Sequence, residues 1–256
     1  MLKLDQIYNM DCIEGMKKLD DNSIDLILCD LPYGTTRCSW DTIIPLDKLW
    51  KQYRRIIKPE SAVVLTSSQP FTSVLINSNI DMFKYEWIWI KSGKNTGNFY
   101  NVTFMPLKWH EEILVFYNNK PTYNPQPEPR MPQTLERIKS KVQTGNIRDN
   151  AVWGQTNKKY KMYSGRNGFP RSFQYFKVER GLHPTQKPLS LFEYLIKTYS
   201  NEDDLVLDNC IGSGTTAVAC KRLNRRFIGF EINKEYYDIS MKRLLNVPSR
   251  LENWIT

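Results

Sequence analysis

The sequence predicts an α/β fold with a mostly parallel central sheet, and three observations support that prediction. Short apolar runs of strand length alternate with helix-spaced apolar stripes at both ends of the 256-residue chain. A glycine turn at residues 212–214 joins one such run to a helical stretch, as in a βαβ unit. The hydrophobic content of 41% and the charged content of 25% are typical of a globular protein, and the length allows one large α/β domain or one domain plus a lobe.

The predicted elements follow from apolar periodicity and from turn and proline signals. The sequence Lys58-Pro59 is expected to end the second helix, and Pro188 suits the first turn of a later one. In chain order we predict strand 6–9, helix 11–19, strand 24–29, helix 46–57, strand 62–66, helix 71–76, strands 85–90 and 113–117, helix 191–199, strand 205–207, helix 217–223, strand 227–230 and helix 236–245.

The composition changes after residue 117, where prolines become frequent and basic residues accumulate. Residues 130–180 hold twelve lysines and arginines against three acidic residues, which equals the whole net charge of +9. Aromatic side chains are interleaved with these cations, a composition typical of nucleic-acid surfaces. The alternative is a solvated, charged insertion without a ligand. We predict that the region at 120–180 binds a polyanion, with a nucleic acid as the expected kind of partner.

The tetrad Asp30-Leu31-Pro32-Tyr33 follows a buried strand, at the place where open α/β sheets bind their ligands. Pro32 restricts Leu31 to an extended backbone, which gives the Leu31 carbonyl a fixed direction. A carboxylate, an oriented carbonyl and an aromatic ring would suit a flipped nucleobase whose amino group must be held. The alternative is an ordinary strand followed by a Pro-Tyr turn.

A second candidate site lies at residues 208–216, in the order strand, glycine turn and helix. Gly212 and Gly214 allow a sharp turn and a close approach to a ligand. Glu231 ends the next strand, about 20 positions further on, where an acidic residue can bind ribose hydroxyls. Ala217 replaces the third glycine of the dinucleotide pattern. An adenosine-containing cofactor is therefore favoured over a nicotinamide cofactor, and a turn without a ligand is the remaining alternative.

Other sequence features limit the class of protein. The five cysteines form no C-x-x-C pair, which predicts neither a disulfide framework nor a zinc site and favours a reducing cytoplasm. His110 and His183 are too far apart to form a local ligand pair, so no metal is expected. The N-terminus lacks the apolar core of a signal peptide, and no apolar stretch is long enough to span a bilayer. We expect a cytoplasmic protein.

Together, the stretches DLPY, HPTQKP, DNCIGSGTT and FIGFEI resemble, in this order, the β-class S-adenosylmethionine-dependent DNA amino-methyltransferases. The resemblance implies a Rossmann-like methyltransferase fold in which the catalytic motif precedes the cofactor motif, a permuted order. It covers nearly the whole chain outside 120–180. It implies a catalytic and cofactor-binding domain at 1–119 and 181–256, with an inserted target-recognition region at 120–180.

The resemblance also implies site residues. Asp30 and the Leu31 carbonyl would accept hydrogen bonds from the target amino group. Tyr33 would stack on the base, and Pro32 would join Tyr33 to the two acceptors. The remaining implied residues bind S-adenosyl-L-methionine: Asp11, Cys12, Thr185, Gln186, Lys187, Asp208, Gly212, Ser213, Gly214, Thr215 and Glu231. Leu31 departs from the proline that is common in the family, and Asn209-Cys210 departs from the commoner Pro-Phe.

The predicted function is site-specific methylation of the adenine amino group in duplex DNA, through base flipping. The acidic residue that begins the tetrad favours adenine, and cytosine amino-methylation is the alternative within the class. A catalytically impaired DNA-binding protein and a nicotinamide oxidoreductase are the alternatives outside it. The sequence leaves open the recognised site, a homodimer and a cognate restriction endonuclease.

Overall fold

The secondary structure alternates between strands and helices along most of the chain. A computed structural model describes residues 2–35, 41–93, 97, 101–129, 167–179, 181 and 186–247, and the structural statements below concern these residues. The elements are β1 Gln6–Asn9, α1 Cys12–Met16, β2 Ile24–Asp30, α2 Leu46–Ile56, β3 Ile57–Ser67, α3 Phe71–Asn77, β4 Phe83–Ser92, β5 His110–Phe116, β6 Glu128–Pro129, β7 Asn167–Gly168, β8 Phe173–Lys177, α4 Leu189–Tyr199, β9 Leu205–Asp208, α5 Thr215–Arg222, β10 Arg226–Glu231 and α6 Lys234–Leu245.

Eight strands of the described chain form one sheet in the order β1-β10-β9-β2-β3-β5-β4-β8. The first five are mutually parallel, whereas β5 runs antiparallel to both β3 and β4. The strand order reverses between β9 and β2, where Leu26 pairs with Val206 and Ile27 with Leu207. Such a reversal leaves a crevice at the carboxyl ends of the strands. Asp30 and Asp208, the last residues of these two strands, are therefore placed at this crevice.

The two faces of the sheet bury separate apolar clusters, because successive strand side chains point to opposite faces. In β2, Ile27 and Cys29 pack with α1, α2 and α3, whereas Leu26 and Leu28 pack with α4 and α5. The central strands are apolar on both faces, as expected for parallel strands covered by helices. The mostly parallel α/β prediction is thus confirmed.

Many element boundaries differ from those predicted by one to five residues, and the differences at α1, α2 and β3 have identifiable causes. Helix α1 ends at Met16, after which isolated turn bonds continue to Leu19. Helix α2 ends at Ile56, and Pro59 lies within β3 instead of simply ending the helix. The register of β2 and β3 shifts between Ile24 and Leu26, and such an irregularity accommodates a strand proline. Strand β8, in the region predicted to be inserted, joins the main sheet beside β4.

The chain divides into two compact units, residues 1–124 with 172–256 and residues 125–171. In the second unit, the described residues contain the short β6–β7 pair and an ion pair between Arg171 and Glu128, with 3.0 Å between Nε and Oε2. Ten of the twelve basic residues predicted to bind DNA lie outside the described residues, which leaves Arg171 and Lys177. None of the described helices is long and apolar enough to cross a membrane.

Candidate active site

A cleft of about 740 Å³ opens at the carboxyl edge of the sheet, within the first unit. It joins the two motifs that are far apart in sequence, because β2 and β9 are neighbours. Gly214 does not line the cleft but begins the helix behind it, and Thr185 lies outside the described residues. The predicted site residues that line it are Asp11, Cys12, Asp30, Leu31, Pro32, Tyr33, Gln186, Lys187, Asp208, Gly212, Ser213, Thr215 and Glu231.

The Asp30 carboxylate, at the end of β2, is held by three side chains of the protein. Its Oδ1 accepts hydrogen bonds from the hydroxyl groups of Tyr33, at 2.9 Å, and Thr66. Lys187 Nζ lies 2.8 Å from both carboxylate oxygens. Among the described residues, Oδ2 therefore has one donor, and a carboxylate oxygen can accept a further bond. The side chain is 23% exposed, so the cleft can reach it.

Lys187 belongs to a row of alternating charges. Its Nζ lies 3.3 Å from Glu111 Oε2, and the other oxygen of Glu111 lies 2.6 Å from Lys91 Nζ. Burial opposes ionisation of Lys187, but the carboxylates of Asp30 and Glu111 outweigh it and raise the Lys187 pKa. Burial likewise opposes ionisation of Glu111, but the two ammonium groups lower its pKa. Lys187 and Glu111 are thus both charged near neutral pH.

Tyr33 is fixed at the back of the cleft by its ring and its hydroxyl group. The ring stacks on Phe71 with 5.4 Å between centroids, and Lys187 Nζ lies 5.3 Å from the Tyr33 centroid. Burial and the Asp30 carboxylate raise the Tyr33 pKa, so the phenol stays protonated and can donate to Asp30. Leu31 is buried in the core with 3% exposure, so its side chain contributes packing.

The glycine turn is anchored from both sides. Gly212 and Gly214 have φ angles of 52° and 83°, which residues other than glycine rarely adopt. Gly212 N donates to Glu231 Oε2 at 2.9 Å, and a Cβ on Gly214 would meet Ser240 Cβ at 3.0 Å. Arg243, on α6, donates to the Thr215 hydroxyl at 2.9 Å. The backbone at the cleft is thereby fixed before a ligand binds.

The two carboxylates on this side of the cleft are bound by neutral donors. Asp208 is 3% exposed and accepts from Cys210 N at 3.0 Å and from the Thr216 hydroxyl. Burial raises its pKa to about 7. Glu231 accepts from Gly212 N and, at 2.8 Å, from Asn233 N, and burial raises its pKa as well. A cation or hydrogen-bond donor of a ligand would stabilise either charge.

The third wall of the cleft comes from α1 and from the segment before α4. Asp11 caps α1, since its Oδ1 accepts from Glu14 N at 3.0 Å, and Cys12 begins that helix. A hydrogen bond to Cys210 and burial raise the Cys12 pKa, so this thiol stays neutral. Gln186 donates to Glu179 at 3.3 Å, and its buried Oε1 has no hydrogen-bond partner among the described residues. That oxygen is free to accept from a ligand.

The sequence reasoning missed Thr66, Phe71, Lys91 and Glu111. Thr66 and Phe71 lie on β3 and α3, which had been predicted only as structural elements. Glu111 faces the site, and Trp89, its partner on β4, also lines the cleft. The alternation of a strand indicates that Glu111 and Glu112 point to opposite faces, but it does not indicate which of them reaches the site.

Comparison with known proteins gives the family. A model described as DNA methylase, N6_N4_Mtase, matches residues 24–242. The type II methyltransferase M.HpaI of Haemophilus parainfluenzae is 31% identical over 252 residues, 91% of this chain and 72% of the relative. The DNA adenine methyltransferase YhdJ of Escherichia coli (strain K12) is 27% identical over 274 residues, 93% of this chain and 82% of the relative.

A solved structure supports the same assignment. The crystal structure of the M1.HpyAVI-SAM complex matches with a TM-score of 0.62 at 27% identity, covering 93% of this chain and 99% of that chain. The family match spans both motifs at the cleft, and the predicted resemblance is confirmed. The chain belongs to the N6_N4_Mtase family of DNA methylases, a class of DNA amino-methyltransferases.

Proposed function

We propose that this DNA methylase transfers the methyl group of S-adenosyl-L-methionine to the exocyclic amino group of adenine at a specific site in duplex DNA. The observation that carries the proposal is the cleft itself, which brings the Asp30 motif and the glycine turn to one edge of the sheet. The similarity to the adenine methyltransferase YhdJ and the acidic first residue of the tetrad favour adenine.

The donor set of the cleft fits the cofactor. A volume of about 740 Å³ lies within the range of sites for drug-sized ligands. The buried Asp208 carboxylate has a raised pKa and no ion pair within the described chain, so it suits the ammonium group of the methionine moiety. Glu231 ends β10 and suits the ribose hydroxyls. When bound, S-adenosyl-L-methionine supplies an electrophilic methyl group on a sulfonium centre.

The chain would hold this cofactor on three sides. The turn formed by Gly212, Ser213, Gly214 and Thr215 would lie beside the methionine moiety, and Asp11 and Cys12 would contact the adenine of the cofactor. Thr185, Gln186 and Lys187 were expected to close over the cofactor. Of these, the free Oε1 of Gln186 supports that role. Lys187 lies on the Asp30 carboxylate instead, which supports a role on the side of the target base.

Asp30 would act on the target amino group. The nitrogen lone pair of an aminopurine is delocalised into the ring and is a poor nucleophile. Acceptance of its hydrogens by Asp30 Oδ2 and the Leu31 carbonyl would favour a pyramidal nitrogen and stabilise the positive charge that develops during transfer. Stabilisation of charge that appears only in the transition state accelerates the reaction. The rigid sheet edge would hold the two reacting groups in line.

Access to the amino group requires that the base leave the duplex. Extrusion of a base costs a few kcal/mol, which stacking in the pocket helps to offset. We propose that the base is held beside Tyr33, whose ring is braced by Phe71. The inserted region at 120–180 would supply the phosphate and base contacts that choose the site, because its basic residues match the charge of DNA.

The experiment incubates the protein with methyl-labelled S-adenosyl-L-methionine and duplex DNA, and then separates the methylated nucleosides. Label in N6-methyladenine supports the proposal. Label in N4-methylcytosine contradicts the adenine assignment and retains the class. Absence of label across DNAs of diverse sequence contradicts the proposed transfer. Calorimetry then tests the alternative of a catalytically impaired DNA-binding protein, which need not bind S-adenosyl-L-methionine, whereas the proposed enzyme must. Modification-sensitive sequencing of DNA from expressing cells gives the recognised site.

A further inference from the structure

Four charged side chains that line the cleft form a row ending at the proposed catalytic carboxylate. They alternate in sign in the order Lys91, Glu111, Lys187 and Asp30, with nitrogen–oxygen distances of 2.6, 3.3 and 2.8 Å. Lys187 is 6% exposed, and the side chains of Glu111 and Lys91 are 14% and 15% exposed. Buried pairs of this kind are screened little by salt.

We propose that Glu111 is a positioning residue for methyl transfer, which shares the Lys187 ammonium with Asp30 so that Lys187 orients Asp30 without cancelling its charge. The inference rests on the proposed function and deepens it. In the described chain, Glu111 forms ion pairs with Lys187 and Lys91 and none with a donor on the Asp30 motif. It acts through Lys187.

The reason is electrostatic. Positive charge develops on the target amine during transfer, and a lysine paired with Asp30 alone would oppose that charge from the same side. Glu111 places a second negative charge on the far side of Lys187, and Lys91 balances Glu111 in turn. Because these charges lie in a partly water-excluded site, each has a larger effect than it would have in bulk water. Asp30 thus remains the acceptor for the amine while its orientation is fixed.

Glu112 offers a matched control on the same strand. It is the neighbouring glutamate and is more buried than Glu111, but it points to the opposite face of the sheet. There its Oε2 accepts from Thr72 at 3.4 Å and its Oε1 lies 3.6 Å from His110 Nε2. Glu111→Gln and Glu112→Gln therefore make the same chemical change with and without the contact to Lys187.

The test measures single-turnover methyl transfer to duplex DNA at saturating protein and cofactor. We expect Glu111→Gln to lower the rate constant about tenfold or more, while cofactor Kd stays within about twofold. Glu112→Gln should keep the rate constant within about twofold. Glu111→Asp retains the charge and should recover most of the lost rate. Melting temperatures and calorimetric cofactor binding confirm that each variant is folded.

A double variant distinguishes positioning from a merely structural role. In a Lys187→Met background, Glu111→Gln should change the rate constant by less than about twofold, because its effect requires Lys187. Additive losses, an equal loss in Glu112→Gln, or a rise in cofactor Kd that accounts for the loss would overturn the inference. Normal transfer by a folded Glu111→Gln would remove only the role of Glu111. Absence of transfer by the wild-type protein would remove the proposed function and the inference together.

Discussion

Asp30 and Asp208 end neighbouring strands of the same sheet, but their surroundings differ in charge. Asp30 is 23% exposed and carries a lysine ammonium on its oxygens. Asp208 is 3% exposed, and its hydrogen-bond donors in the described chain are neutral: a backbone amide, a threonine hydroxyl and the Cys29 thiol. Within the described chain it has no ion pair. Asp30 is therefore paired with a cation of the protein, whereas Asp208 is not paired with any cation of the described chain.

The difference indicates which kind of ligand each carboxylate suits. A buried carboxylate without a cation is costly to ionise, and the pKa of about 7 at Asp208 expresses that cost. A cationic ligand group would lower this pKa and gain binding energy in return. Asp30 is already paired, so it suits a neutral amine that becomes positive only during the reaction. We therefore expect substitutions at the two positions to affect different steps.

Asp30→Asn should have the largest effect, because it removes the charge on which the transfer step depends. We expect the single-turnover rate constant to fall at least about 10³-fold, with cofactor Kd unchanged within about twofold. Asp25→Asn, at the amino end of the same strand, is the matched control and should retain transfer. A cofactor Kd that weakens in step with the rate would show that Asp30 is not specific to transfer.

Asp208→Asn should instead weaken cofactor binding, by about 100-fold in calorimetric Kd, because a buried charge partner of the ligand is lost. Transfer at saturating cofactor should fall much less than in Asp30→Asn. Unchanged affinity for the cofactor in a folded Asp208→Asn protein would contradict the assignment of Asp208.

The Asp208→Asn variant also tests the raised pKa of Asp208, through the pH dependence of the free energy of unfolding. Between the ordinary Asp pKa of 3.8 and about 7, folded Asp208 holds a proton that the unfolded chain has lost. The folded state then binds more protons, so the contribution of Asp208 to stability falls as pH rises through this window. Without cofactor, Asp208→Asn should be more stable than wild type by roughly 2–4 kcal/mol at pH 8. The gain should vanish near pH 4, and thermal melts across this range measure it.

Tyr33→Phe should lower the rate of transfer much less than Asp30→Asn does. It removes the hydroxyl bond to Asp30 and the 3.1 Å contact with Thr66, but keeps the ring that stacks on Phe71. We expect the rate constant to fall about tenfold, since one hydrogen bond to a charged group is lost. Tyr33→Ala should lose more, because the stacking ring is lost as well. Equal losses in the two variants would assign the whole effect to the hydroxyl group.

Most helices and strands of the described chain could be predicted from local patterns. Residues 46–57 carry a helical apolar stripe, and α2 covers 46–56. Pro59 is an exception. A proline after a helical stretch predicts the end of the helix, but Pro59 also lies near the start of strand β3, where the register is irregular. Pro59 belongs to a strand because β3 pairs with β2, and strand pairing is a long-range property that the local sequence does not show.

The site was predicted only where its residues stand together in sequence. Asp30 and the turn at Gly212 and Gly214 belong to local motifs, and the structure places them at one cleft. The pairing of Lys187 with Asp30 spans 157 positions and could not be read from either motif. Glu111 belongs to no motif at all. The assigned roles of these residues stay predictions.

The sequence by itself determined the alternation of strands and helices and the family. It also determined that two strands end in a carboxylate and that a glycine turn follows the second of them. These depend on periodicity, on backbone freedom at glycine and on motif order, which are properties of short segments. The tertiary structure decided that β2 and β9 are neighbours, that β5 runs antiparallel, and that Asp30 has a cation while Asp208 has none within the described chain. Charge environment depends on distance in space, and only the folded chain fixes those distances.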